Sequence, residues 1–306
     1  MKKRFLIFII TLVAASSYAQ QDSQFTNYMY NTVNINPAYA GSRGVLSIFG
    51  LHRTQWVGLD GAPVTNTFAV NTPIANSNFG LGVSVINDRI GPSVENAITV
   101  DVSYSIKASE SYKLSFGLKA TANLLDVDFT KLNIFNPTDV LAQNNIDNRF
   151  SPNIGAGIYL HSDKTYFGLS VPNFLETEHF DRGQAASSVA SERMHFYVIG
   201  GHVFDLSPNL QFKPAFLTKM VQGAPLQVDV SGNFLINEKF VLGAAWRWSA
   251  AASFLAGFQI TDGLYLGYGY DLETTRLANY NSGSHEVFLR FELFNRQSRI
   301  VSPRFF

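Results

Sequence analysis

Few residues of this chain have the means to do covalent chemistry, and those few do not converge in the sequence. The 6 histidines, His52, His161, His179, His195, His202 and His285, stand singly on strand or loop patterns. A nucleophilic enzyme needs a Ser or Thr beside a His and a carboxylate, and no G-x-S-x-G element is present. His285 and Glu286 make an acid/base pair only with a further partner that the sequence does not identify, because catalysis needs groups that meet at one point. We read these residues as structural polar groups of a protein that is not an enzyme. A lipase is the chemical rival, and a lack of hydrolysis of phospholipid or ester substrates disposes of it. Oxygen ligands of the kind calcium takes are offered by Asp126, Asp128, Asp139, Asn144, Asn145, Asp147 and Asn148, but their spacing does not match an EF-hand loop. Asn and Asp favour turns through local hydrogen bonds, so a solvated loop is the expectation there, with no metal and no cofactor. The count of cysteines is 0, which removes disulfides, thiolate catalysis and cysteine metal sites.

What the chain offers to position its side chains is alternation. Ile98, Val100, Val102, Tyr104 and Ile106 share one face, while Thr99, Asp101, Ser103, Ser105 and Lys107 share the other; that is strand spacing. The polar turn Ser109-Glu110-Ser111 leads into Tyr112, Leu114, Phe116 and Leu118 opposed to Lys113, Ser115, Gly117 and Lys119, so the two segments form a hairpin. The same reading gives strands at 45–55, 64–74, 79–86, 97–107, 112–124, 153–160, 165–171, 194–204, 210–220, 226–236, 240–248, 253–260, 264–272 and 285–294. The count is about 14, and an even number is what single-chain bacterial outer-membrane barrels require. Short connections at 109–111, 161–164, 205–209, 237–239 and 261–263 alternate with mostly longer ones, and 126–149 and 173–193 read as extended polar loops.

Hydrophobic residues make up 46%, aromatic residues 14% and charged residues only 15% of the chain. After the N-terminus no apolar run approaches membrane-helix length, so the hydrophobicity is hidden in alternation, as a closed transmembrane β-barrel hides it. Trp246, Trp248, Tyr265, Tyr268, Tyr270 and Tyr280 read as interfacial belt residues. Gly80, Gly82, Gly155, Gly157, Gly267 and Gly269, spaced by two within strands, would let another backbone approach a barrel face, as an internal plug does.

Lys2, Lys3 and Arg4, the apolar run 5–15 and Ser17-Tyr18-Ala19 before Gln20 describe a cleaved secretory signal peptide. The apolar run is shorter than the roughly 20 residues a membrane helix needs. Removing three basic and no acidic residues from 23 of each leaves 20 against 23, a mildly acidic protein that argues against nucleic acid as a partner. The expected organisation is a signal peptide at 1–19 and one all-β domain at 20–306. Within that domain, 20–43 is a non-strand lead segment placed either in the periplasm or in the lumen, 45–294 is the barrel and 295–306 is a tail.

The lead segment carries the most specific signal. Tyr28, Met29 and Tyr30 adjoin Asn31, Asn34 and Asn36, and Asn36-Pro37-Ala38-Tyr39-Ala40-Gly41 follows, where the proline predicts a turn. The strand from Val45 then carries Arg53 and Gln55 and closes in Trp56-Val57-Gly58 and Asp60-Gly61-Ala62-Pro63. The stretches 24–31, 34–44 and 52–73 resemble the opening of the PorP/SprF family of outer-membrane proteins of the type IX secretion system of Bacteroidetes. Ser170-Val171-Pro172-Asn173, Lys213-Pro214, Gly223-Ala224-Pro225, Gly283-Ser284-His285-Glu286 and Ser302-Pro303-Arg304 resemble it in the same order. The resemblance implies a non-enzymatic barrel, in outer-membrane lipid, that supports export or surface anchoring of proteins with a C-terminal sorting domain, gliding adhesins included, together with other type IX components. A diffusion channel or solute transporter is the alternative. The motif residues it points to are Asn36, Pro37, Ala38, Tyr39, Ala40, Gly41, Arg53, Gln55, Trp56, Gly58, Gly61, Ala62 and Pro63, with fold closure favoured over direct contact with a partner.

Overall fold

A computed structural model of the chain describes residues 25–132, 145–175, 194–222 and 224–293. Among them one antiparallel sheet contains 15 strands. They are β1 (Leu46–Thr54), β2 (Val64–Pro73), β3 (Phe79–Ile90), β4 (Ser93–Lys107), β5 (Lys113–Val127), β6 (Ile146–His161), β7 (Thr165–Val171), β8 (His195–His202) and β9 (Phe204–Ser207). β10 (Leu210–Val221), β11 (Gln227–Ile236), β12 (Phe240–Arg247), β13 (Ala251–Gln259), β14 (Leu264–Glu273) and β15 (Ser284–Leu293) complete the set. Neighbours in sequence are neighbours in the sheet, β10 pairs with β11, and β15 returns to β1 from Leu46↔Leu293 to Thr54↔His285, so the sheet closes on itself. β8 and β9 both lie beside β10, one beyond the other, and the wall is a closed barrel with 14 positions. The single strand expected at 194–204 is therefore two. The two pieces keep one register along β10, from Ala215↔Gly201 to Phe212↔Phe204, and the break falls beside Pro214, which has no N–H to donate to the ladder.

The faces decide the solvent. Leu81, Val83, Val85, Ile98, Val100 and Val102 are exposed, and Leu81↔Val102, Val83↔Val100 and Val85↔Ile98 are direct cross-strand pairs. Between them Ser84, Thr99, Asp101 and Ser103 point inward and are buried. An apolar band that continues from strand to strand with a polar interior matches lipid outside and side chains within.

Two strand ends outrun the sequence reading. β3 reaches Ile90 and β4 starts at Ser93, where strands were expected only at 79–86 and 97–107. The apolar alternation stops there but the ladder does not: Asn87 Nδ2 donates to Asn96 Oδ1 at 2.8 Å, and the Thr65 hydroxyl donates to Asp88 at 2.6 Å. Likewise β5 runs to Val127 and β6 begins at Ile146, shortening the loop expected at 126–149 from both sides. These strands have 15 and 16 residues, more than the roughly 9–11 that span a bilayer, so their polar ends project past the hydrocarbon.

Connections 74–78, 108–112, 162–164, 208–209, 237–239 and 260–263 lie at one end of the barrel, which we call the short-turn end. The other end carries 55–63 and 274–283, the tight turns at 91–92 and 248–250, and the facing ends of β5 and β6, of β7 and β8 and of β10 and β11. In outer-membrane barrels the short turns face the periplasm. The stretch expected to be a signal peptide (1–19), residues 20–24, His179, Asp139, Asn144, Gly223, most of the segment 173–193 and the expected tail at 295–306 lie outside the described residues.

Candidate functional site

The described part of the lead segment is packed inside the barrel. Tyr28–Tyr30 forms a turn of 3-10 helix, Thr32–Ile35 a single α-helical turn and Pro37–Tyr39 another 3-10 turn. Pro37 sits at the first helical position, where its missing N–H costs nothing, and Asn36 caps the turn by accepting from the Ala38 N–H at 3.0 Å. Every residue from Thr26 to Val33 and from Ile35 to Ala40 is buried.

The segment descends the lumen from the long-loop half to the short-turn end. Its upper anchor is a buried ionic cluster on the strands that close the barrel. Arg53 on β1 donates through Nη2 to Asp271 on β14 at 2.7 Å and through Nη1 to Glu286 on β15 at 3.2 Å. The same Nη1 reaches the Thr26 hydroxyl at 2.8 Å, and Thr26 donates to Asp271 at 2.6 Å. The backbone N–H groups of Thr26 and Asn27 donate to Glu286 at 3.1 and 2.9 Å, and Asn27 Nδ2 donates to it at 2.6 Å. Carboxylates without water around them need such donors, and here the lead segment provides three to Glu286 alone.

Lower down, the Tyr30 and Tyr265 hydroxyls are 2.7 Å apart, and the Tyr30 ring packs at 4.5 Å on Phe288. The Arg290 guanidinium lies 5.2 Å over the Tyr265 ring. Tyr265 is thus not the belt residue that its type announces; it is 3% exposed and shares the inward parity of Asp271. Tyr268, Trp246, Trp248 and Tyr280 are exposed. Across the lumen Lys119 on β5 donates to the Val33 and Asn34 carbonyls at 3.3 and 3.0 Å and pairs with Asp101 at 3.4 Å. Asn36 Nδ2 donates to the carbonyls of Ile158 and Leu169 at 3.0 and 3.4 Å, bridging β6 and β7. Ser170 donates to the Ile35 carbonyl at 2.9 Å and Ser103 to the Ala40 carbonyl at 2.7 Å. Facing this turn are Gly117 and Gly157, at which a Cβ would collide with the Ala38 backbone and the Asn36 side chain. Arg43 then grips Glu292 through Nε and Nη2 at 2.6 and 2.9 Å, where the segment turns into β1.

The motif residues therefore do not form one pocket. Asn36, Pro37, Ala38, Tyr39, Ala40 and Gly41 lie in the short-turn half of the lumen; Tyr39 meets Tyr159 edge-on at 5.5 Å, and Gly41, at φ +71°, makes the exit turn beside Gly80. Arg53 stands in the upper cluster. Gln55, Trp56, Gly58, Gly61, Ala62 and Pro63 build the β1–β2 loop, in which the Gln55 N–H bonds to the Pro63 carbonyl at 2.9 Å and the Gly91 N–H to the Gly61 carbonyl at 2.9 Å. Trp56 takes φ +46° and donates through its indole to Glu273 at 3.3 Å. The sequence reading missed Thr26, Asn27, Asp271 and Glu286 as one group.

His285 and Glu286 point to opposite faces, as adjacent strand residues must: Glu286 is in the lumen, and His285 is hydrogen-bonded to Tyr268 at 2.7 Å on the outside. Of the calcium-type residues, Asp126 lies on β5 and Asp147 and Asn148 on β6 rather than in a loop. Asp126 accepts from the Asn148 N–H at 2.8 Å, and Asp128 accepts from Thr130, whose hydroxyl holds that carboxyl below its usual pKa. No group of three metal-ligating side chains occurs among the described residues.

A family model described as type IX secretion system membrane protein PorP/SprF matches residues 17–291. The chain belongs to that family. No curated protein sequence is significantly similar to it. Solved structures similar to the PorP/SprF barrel include the outer-membrane protein Omp33 of Acinetobacter baumannii, at 9% identity over 81% of this chain and 98% of that one, with a TM-score of 0.47. A FadL homologue of Pseudomonas aeruginosa is 12% identical over 87% and 94%, with a TM-score of 0.44, and the KdgM porin 10% identical over 81% and 99%, with a TM-score of 0.38. Family and barrel together make the PorP/SprF chain an outer-membrane β-barrel of the type IX secretion system.

Replacing Asn36 by alanine in the PorP/SprF barrel removes the cap and both carbonyl bridges. A loss of about 1–3 kcal/mol is expected, since buried acceptors are left without donors. Urea unfolding in detergent micelles, followed by tryptophan fluorescence, measures it; an unchanged midpoint would mean that the turn is held by packing alone.

Proposed function

We propose that this chain is a non-enzymatic barrel that supports export or surface anchoring of proteins bearing a C-terminal sorting domain, gliding adhesins among them, in company with other type IX components. The observation that carries this reading over a diffusion channel is the lead segment, buried from Thr26 to Ala40 except at half-buried Asn34, and bound to inward side chains of β1, β4, β5, β7, β14 and β15 and to a β6 carbonyl. A solute pore gains nothing from a lumen filled by its own backbone, whereas an anchor needs a rigid barrel whose mouths and loops are free to bind. The motif residues serve fold closure: those at 36–41 fix the plug and those at 55–63 fix one loop.

Two measurements test the reading together. The purified barrel in planar bilayers is expected to show little steady conductance. The tagged chain, gently extracted from its outer membrane, is expected to carry a surface protein with a C-terminal sorting domain or type IX components, as identified by mass spectrometry. A steady pore current with no protein partner would favour the channel. Normal barrel assembly but lost secretion in a Tyr39→Ala or Trp56→Ala variant would move those residues from fold closure to partner contact.

A further inference from the structure

The outer face of the barrel is polar along one row. Tyr268, Val287, His52, Asn66, Asn87 and Asn96 are consecutive cross-strand partners from β14 through β15 and β1 to β4. The three asparagines share the outward parity of the exposed Phe68, Val85 and Ile98, and His52 stands between the inward Leu51 and Arg53. Their side chains bond along the row: His52 to Asn66 at 2.7 Å, Asn66 Nδ2 to Asn87 at 3.5 Å and Asn87 Nδ2 to Asn96 at 2.8 Å. One row higher, the Thr54 hydroxyl meets the second ring nitrogen of His52 at 3.2 Å, and His285 meets Tyr268. Other parts of the wall lack such a row. On β5 the outward positions run Leu114, Phe116, Leu118, Ala120, Ala122 and Leu124, and those of β11, β12 and β13 are apolar throughout.

Depth decides what can meet these groups. Tyr268, His52 and Asn66 stand four, six and seven residues above the short-turn ends of β14, β1 and β2. At a rise of roughly 3.3 Å per residue and a tilt of about 40°, they lie about 10, 15 and 18 Å up an apolar band about 25 Å tall. The row rises across the tilted strands, so its Asn87–Asn96 end leaves the hydrocarbon while the other end stays inside it. Each amide has a second N–H that the row does not use, and hydrocarbon offers it no acceptor. Lipid headgroups lie above that level, so the groups that complete the row come from a protein wall. Room for one exists at Gly50, two residues below His52 on the same face, where a Cβ would meet nothing within 4 Å although Phe68 and Leu289 flank it. The chemistry of the row also selects that protein. Amides, hydroxyls and neutral imidazoles each donate and accept, and no lysine, arginine or carboxylate stands in the row, so the surface is complementary to itself. A two-fold axis along the membrane normal sets equal depths of two copies against each other. We propose that the outer face of β14, β15, β1 and β2 is an interface at which a second copy of this chain packs side by side in the membrane.

The count of cysteines is 0, so one introduced thiol reports one position. The full chain carrying Asn66→Cys is treated with a short bis-maleimide in its native outer membrane, and a product of twice the chain mass that contains only this chain is expected. Phe196→Cys, exposed on the opposite wall and six residues above the short-turn end of β8, is the control and is expected to stay monomeric. Native mass spectrometry of the gently extracted barrel then reads the dimer directly. Gly50→Leu, which fills the open side of β1, and His52→Leu with Asn66→Leu, which makes the row apolar, are each expected to raise its dissociation constant about tenfold, the equivalent of roughly 1.4 kcal/mol, with folding verified by heat-modifiable gel mobility. No cross-linked dimer from Asn66→Cys, or as much from Phe196→Cys, overturns the proposal. A photo-crosslinker at His52 that captures lipid or a different protein overturns the second copy as the occupant. An unchanged dimer in both leucine variants overturns the polar row as its seam.

Discussion

An Arg53→Met barrel is expected to lose about 3–5 kcal/mol of stability and to free the first described turn of its lead segment, because removing one member of a buried ionic cluster leaves the others uncompensated. Asp271 and Glu286 stay enclosed, at 3% and 0% exposure, and the guanidinium that meets both is gone. The Thr26 hydroxyl also loses its donor from Arg53, so the damage passes directly to the plug. Two readouts separate plug release from general weakening. Urea unfolding in micelles reports the stability, and protease cleavage near Phe25–Tyr30 in the otherwise folded barrel reports the release. A triple variant, Arg53→Met with Asp271→Asn and Glu286→Gln, is expected to recover part of the stability, since no unpaired charge then remains. It should not recover protection of Thr26 and Asn27, which need the Glu286 carboxylate as an acceptor for three hydrogen bonds. A single variant as stable and as protease-resistant as wild type would show that aromatic packing around Tyr30 holds the plug by itself.

The same cluster shows what a sequence can and cannot disclose in a barrel. Arg53 stood out as a motif residue and Asp271 lay at inward parity, yet nothing local joins them: Arg53 is 218 positions from Asp271 and 233 from Glu286. Alternation tells which face a residue is on. It says nothing about which residues meet where the first strand closes on the last. Tyr265 shows the opposite error, because its parity with Gly267, Gly269 and Asp271 places it inside, and only the habit of tyrosine to sit at interfaces argued otherwise. The strands themselves were legible because lipid outside and polar lumen inside enforce a period of two along each one. Their polar extensions at Asn87–Glu95 and Ile146–Arg149 were not, because past the hydrocarbon the ladder is kept by backbone pairing and amide contacts that leave no apolar period. The lead segment was the least legible part. It is short helical turns whose burial comes wholly from the barrel around it.

Gly117→Val is expected to act from the other end of the plug, and more bluntly. The space where its Cβ would go is occupied by the backbone of Pro37 and Ala38, and a backbone cannot swing aside as a side chain does. Asn36, one residue away, is fixed by its cap and by two carbonyls on β6 and β7, so the turn cannot slide along the wall without breaking those bonds. Overpacking of a close-fitted site costs about 1–3 kcal/mol and sometimes more, and here the cheapest relief is to move the turn off β5. A barrel that still folds, judged by heat-modifiable mobility, is then expected to pass a steady current in planar bilayers where wild type passes little. Leu118→Val serves as the control, since its neighbouring side chain lies on the lipid face and its loss should leave the current unchanged. If Gly117→Val keeps both wild-type stability and a closed lumen, the wall must have yielded outward instead of the turn moving off it. The two results point to different parts of one thin layer, a single β-strand with the plug on one side and the membrane on the other.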